Sequence, residues 1–197
     1  MKIGYITLYN SSDLSKWSGL GYYIASALKR ENNELHYIDL SKEKGTGIIV
    51  KKRFDKIVYD NIYAQRNEQF LRKTSFYVFE AAKRLDVDCY FSPSSLPIAY
   101  FETNKPKIFY ADATFANLIN YYEKFKGLSI KTIDEGHKIE KQALDTCSIA
   151  IYSSEWAAKT AIEFYGADSK KVKVVPFGTN LDVQNTIKDI LMQTEIF

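Results

Sequence analysis

Short apolar runs alternate along this chain with longer stretches in which apolar residues recur at helical spacing. Ile3 to Leu8 is continuous apolar sequence with one Gly and one Thr, the pattern of a central parallel strand covered on both faces. Leu35–Leu40, Val87–Phe91, Lys107–Ala111, Ile149–Tyr152 and Val172–Pro176 repeat it, and each is too short for a helix. Between them, Trp17 to Tyr23 opens a helix with Ile24, Ala27 and Leu28 on its apolar side, ended by Glu31–Asn33. Phe70, Leu71, Phe76–Phe79 and Ala82 predict one long helix over 65–85, and 114–125 reads as an aromatic-rich helix. Thr132 and Glu135 have capping-box spacing and would open a helix to Cys147, with Ile139, Leu144 and the charged pair Glu140/Lys141 along it. Ser153 or Ser154 caps a last helix whose apolar face is Trp156, Ile162, Phe164 and the alanines, with Gly166 as its stop. Ile48–Val50 and Ile57–Tyr59 fit either strands or extended excursions, and Ile187, Ile190 and Leu191 have helical spacing. Strands alternating with helices predict an α/β fold, a Rossmann-like, mostly parallel sheet flanked by helices.

Composition narrows the function classes. A chain of 197 residues can hold one domain with a full core or two small ones. The net charge of +3 comes from well-mixed acids and bases, so no clustered basic face points to nucleic acid. Cys89 and Cys147 lie in or beside apolar runs, which predicts buried free thiols in a reducing compartment. No Cys/His cluster predicts a metal site. The start MKIGYITLYN reads as a strand and not as a signal peptide, and no apolar run approaches the ~20 residues of a membrane span. A cytoplasmic protein is expected, with weak attraction to the inner face of the membrane compatible with its charge. The 15 Tyr and 12 Phe fit core packing, or a cleft whose rings stack on sugars or lipids.

Four stretches could carry chemistry. In Ser18-Gly19-Leu20-Gly21, glycines at a helix start let backbone amides approach an anion, or simply form a turn. A dinucleotide fingerprint does not fit, although Asp39 mimics its ribose-binding acid: Ile24 holds the third glycine position, and the loop lies too far past the strand. Asp112 and Thr114 follow a strand at its carboxyl end, where open α/β sheets bind ligands. There Asp112 could orient a hydroxyl, act as a base or cap the next helix. Tyr121 and Tyr122 could rim a cleft for a sugar or lipid-linked group, or pack in the core. Gly178 and Asn180 in Pro176–Asn180 permit a tight turn, and Ser154 lines the same sheet edge or caps its helix. His36 and His137 are expected to be structural or exposed.

Residues 143–182, ALDTCSIAIYSSEWAAKTAIEFYGADSKKVKVVPFGTNLD, resemble the end of the N-terminal domain in GT-B glycosyltransferases of the retaining family 4 kind. The resemblance covers this segment closely and the rest of the chain loosely. It implies an acceptor-side Rossmann-like domain over 1–180, with 181–197 beginning the crossover to a second, donor-binding domain that would bear an E-x7-E motif. It also implies transfer of a sugar from a nucleotide sugar to a sugar or lipid-linked acceptor hydroxyl, with retention and without a bound metal or other cofactor. Gly19 and Gly21 would then face the donor phosphates. Asp112 and Thr114 would position the acceptor, and Ser154, Gly178 and Asn180 would line the interdomain hinge. Many members carry a His in the strand-end segment where this chain has Asp112, so a catalytic His is not carried over. The isolated chain is expected to be inactive, and an exposed interdomain face could dimerise. The alternative is a stand-alone, non-catalytic Rossmann or flavodoxin-like module that binds a small ligand.

Overall fold

The computed structural model describes residues 1–40, 62–119 and 121–180. The runs Ile48–Val50 and Ile57–Tyr59 and the helical spacing of Ile187, Ile190 and Leu191 lie outside the described residues. Six strands, β1 (Lys2–Thr7), β2 (Glu34–Asp39), β3 (Cys89–Ser92), β4 (Lys107–Ala111), β5 (Ile149–Tyr152) and β6 (Val172–Val174), form one sheet in the order β2-β1-β3-β4-β5-β6. Every pairing is parallel. The chain is thus a Rossmann-like α/β fold. β2 and β3 lie on opposite sides of β1, so the direction of winding reverses between β1 and β3. That reversal opens a crevice at the carboxyl ends of these strands.

Helices α1 (Leu20–Arg30), α2 (Ile62–Gln65), α3 (Glu68–Ala82), α4 (Phe115–Leu118), α5 (Ile130–Thr146) and α6 (Glu155–Glu163) flank the sheet. Leu71 and Val78 of α3, Ile139 and Ala143 of α5 and Ala157 and Ala161 of α6 bury one face together with Ile6, Phe109 and Tyr152. On the other face Ala25 of α1 packs with Ile3, Tyr5, Cys89 and Phe91, and Ile108, Tyr110 and Ile151 are only half-buried there.

Four local expectations are corrected. The long helix over 65–85 is two helices, broken at Arg66 and Asn67. Asn67 has extended backbone (φ −96°, ψ 118°) and caps α3 by accepting from the Phe70 amide at 2.8 Å. Its side chain and the Glu68 amide both donate to Glu135, so Glu135 anchors the start of α3 and closes no capping box. The cap of α5 is accordingly Ser129, which accepts from the Thr132 amide. The stretch 114–125 is the single turn α4 and a separate 3-10 turn, Glu123–Phe125. In α6 the alanines are buried and Ile162 packs partly against the core, as expected. Trp156 and Phe164 are 49% and 62% exposed, and the small side chains of Ala157, Ala158 and Ala161 take the buried positions instead.

Gly136 shows how tight the α4–α5 contact is. A Cβ there would lie 2.1 Å from the Phe115 ring. Gly136→Ala is therefore expected to destabilise the fold by about 1–3 kcal/mol, read from the midpoint of urea unfolding.

Candidate functional site

The crevice at the switch point holds a cavity of about 540 Å³. Thr7, Tyr9 and Trp17 line it from β1 and the following loop, Ser92 to Pro97 from the end of β3, and Ala111 to Ala113 from the end of β4. Tyr122, Lys124 and Phe125 reach it from the 3-10 turn, Arg66 from the break between α2 and α3, and Glu140 from α5.

Asp112, Glu140 and Arg66 are the more buried charged side chains of this wall, and Lys124 is a fourth charged residue in it. Asp112 follows β4, and its Oδ1 accepts from the Ala113 amide at 2.9 Å. Burial pushes its carboxyl above the ordinary range; the backbone amides, Lys124 and a hydrogen bond from Trp17 oppose the shift. Glu140 is 1% exposed on the inward stripe Gly136, Ile139, Glu140, Ala143 of α5. Ser95 Oγ donates to its Oε2 at 2.9 Å and the Tyr152 hydroxyl to its Oε1 at 3.4 Å. Burial also raises the Glu140 carboxyl, with Arg66 as the main opposing influence. Arg66 is 6% exposed, its guanidinium lies 4.5 Å from the Phe115 ring centre, and its Nη1 is 3.9 Å from Glu140 Oε2. That distance is an ion pair but not a hydrogen bond. Arg66 Nε and Nη1 have no hydrogen-bond acceptor.

The loop after β1 holds Trp17 against this wall in a strained backbone. Trp17 and Ser18 have φ of 48° and 53°, left-handed values that non-glycine residues rarely adopt, and Gly19 continues them at 74°. Such conformations cost of order 1–3 kcal/mol each and persist where the surroundings enforce them. The enforcing contacts are visible. Phe177 packs edge-on against Trp17 and tilted over Tyr110, and the Asn180 side chain donates to the Ser18 carbonyl at 2.8 Å. The Tyr110 hydroxyl donates to the Val175 carbonyl.

The residues singled out in the sequence are therefore divided. Asp112 and Tyr122 line the cavity, while Tyr121 packs on Tyr122 and Trp156 and is largely exposed. Gly19 and Gly21 border the loop without lining the cavity. The space a Gly21 side chain would need is filled by the Tyr9 hydroxyl, 2.5 Å from an ideal Cβ, and the Gly21 carbonyl accepts from Tyr5. Thr114 is fully buried and exchanges hydrogen bonds with Asn117 as the cap of α4. Ser154 caps α6. Asn180 clamps the strained turn, and Gly178 lies in the same stretch. Asp39 accepts from Thr7 and Ser11, so it ties β2 to the loop. His137 meets the Tyr165 hydroxyl at 2.9 Å beneath α4.

Arg66, Glu140 and Ser95 are cavity residues that sequence reasoning missed. Glu140 had a signal: it follows Ile139 and precedes Ala143 by three, on the buried stripe. Arg66 had a weaker one, the cap-forming Asn67 immediately after it. Both cysteines are buried free thiols, and burial pushes Cys147 to about 11. Among the described residues, no three His, Cys, Asp or Glu side chains are grouped to hold a metal, and no helix is long and apolar enough to cross a membrane. No protein-family profile matches the chain, and no curated protein matches it significantly.

Proposed function

We propose that this chain is the acceptor-side domain of a retaining GT-B-type glycosyltransferase, moving a sugar from a nucleotide sugar to an acceptor hydroxyl. The observation that carries the reading is the place of Asp112. It stands at the carboxyl end of β4 in the wall of the switch-point cavity, beside Trp17. The segment that resembles the transferases also runs on from β6 into the stretch that clamps this wall. A sugar or lipid-linked acceptor would enter the cavity past Tyr122, and Asp112 would accept a hydrogen bond from the reacting hydroxyl. A carboxyl raised by burial is better matched to holding and releasing that proton near neutral pH than an ordinary carboxylate. The first turn of α1 has no side-chain cap, so its amides remain for the diphosphate of the donor.

This reading expects the isolated chain to turn over no nucleotide sugar. In the protein carrying its donor-binding half, Asp112→Asn is expected to lower kcat/KM about 100-fold, measured by transfer of radiolabelled sugar. An unchanged rate would remove Asp112 from the chemistry.

One observation favours a second reading, a small-ligand-binding module: segments from Thr7 to Glu140 of the chain converge on one cavity. Tight binding of a small molecule by a chain that neither transfers nor hydrolyses sugars, even with a donor domain supplied, would select it.

A further inference from the structure

Arg66 is a member of the cavity wall whose hydrogen bonding is incomplete. A buried guanidinium is costly unless its donors find acceptors, and here Nε and Nη1 have none. The two nearby carboxyls do not fill that role. Glu140 takes its hydrogen bonds from Ser95 and Tyr152, and Asp112 takes its own from Ala113 and Trp17. The wall thus carries surplus donors at one point, deep in a cavity large enough for a small ligand. The Phe115 ring, 4.5 Å from the guanidinium carbon, packs against Arg66 and restrains it before any ligand arrives.

We propose that the cavity binds a ligand bearing an oxyanion, a phosphate or a carboxylate, and that Arg66 is the residue that receives it. Arginine gives planar, charge-assisted hydrogen bonds to either group. The remaining charges around the site allow it. Lys124 stands at the cavity wall as a second cation, and the Glu140 carboxyl is already engaged by Ser95 and Tyr152. The inference does not depend on the transferase reading, because it concerns binding to this chain alone. If both hold, the oxyanion belongs to the acceptor.

The test compares three sugars of one skeleton, glucose 6-phosphate, glucuronate and glucose, titrated calorimetrically into the 197-residue chain. At least one charged sugar is expected to bind roughly ten-fold or more tightly than glucose, the gain of a charge-assisted contact. Which of the two does so identifies the oxyanion. Arg66→Gln is expected to abolish the preference. In the unaltered protein, the Arg66 Nε–H resonance should shift with the preferred sugar and not with glucose. That second readout decides the matter if Arg66→Gln does not fold. Equal affinities, no binding by any of the three, a preference that survives Arg66→Gln, or an unmoved Nε–H resonance would each overturn the proposal. Loss of transferase activity has no bearing on these outcomes.

Discussion

Glu140→Leu is expected to destabilise the fold by about 3–5 kcal/mol, a large part of the stability of a domain this size. Glu140 is the acid paired with the buried Arg66, at 3.9 Å, and it accepts from Ser95 and Tyr152. Leucine fits the space but leaves a buried guanidinium without its counter-charge and two hydroxyls without their acceptor. Removing the charge on both sides relieves the larger of these costs. The double variant Arg66→Met/Glu140→Leu should therefore be more stable than Glu140→Leu alone, despite carrying one more substitution. A double-mutant cycle from urea unfolding measures this coupling. Simple addition of the two single costs would show that the pair is not coupled.

The second large effect is expected at Lys107. Its ammonium is buried at the start of β4 and donates to the carbonyls of Ile98 and Phe101 at 3.1 and 2.8 Å and to Thr146 at 2.8 Å. These bonds tie the loop after β3, part of the cavity wall, to β4 and the end of α5. Lys107→Met keeps the length of the side chain but orphans both carbonyls, at a cost of about 3 kcal/mol. The cost should also depend on pH. Burial pushes Lys107 down to about 8 from its ordinary 10.5, so between these values the unfolded chain holds a proton that the folded chain has released. Stability contributed by this group therefore rises with pH across that window, and the penalty of Lys107→Met should grow. Unfolding midpoints of both proteins, compared from neutral pH upward, give the difference directly. A gap that narrows with pH would contradict the assignment.

Much of the fold was legible because its signals are local. The apolar run of β1 and the short runs of β4 and β5 can only be strands, and Ser154 and Gly166 mark the ends of α6 through backbone chemistry that is independent of packing. The misreadings arose where a tertiary contact overrides the local pattern. Glu135 has the spacing of a capping box but is taken by Asn67 and Glu68 across the helix interface. Trp156 is the bulkiest apolar residue of α6, yet the alanines hold the buried positions and Ile162 packs partly against the core. The site divided along the same line. Asp112 could be found from its place after a strand, whereas Arg66 and Glu140 are charged residues in helical sequence, where solvent exposure is the ordinary expectation. Only the break at Asn67 and the stripe that carries Glu140 turn them inward.

The most direct test of the transferase account is to read the source transcript beyond the codon for Phe197. The account predicts a second α/β domain of similar size, bearing the E-x7-E pair and the basic residues that would hold a nucleotide sugar. A stop codon at that point, with no partner chain able to supply donor binding, would contradict it and leave the cavity as the site of a binding protein.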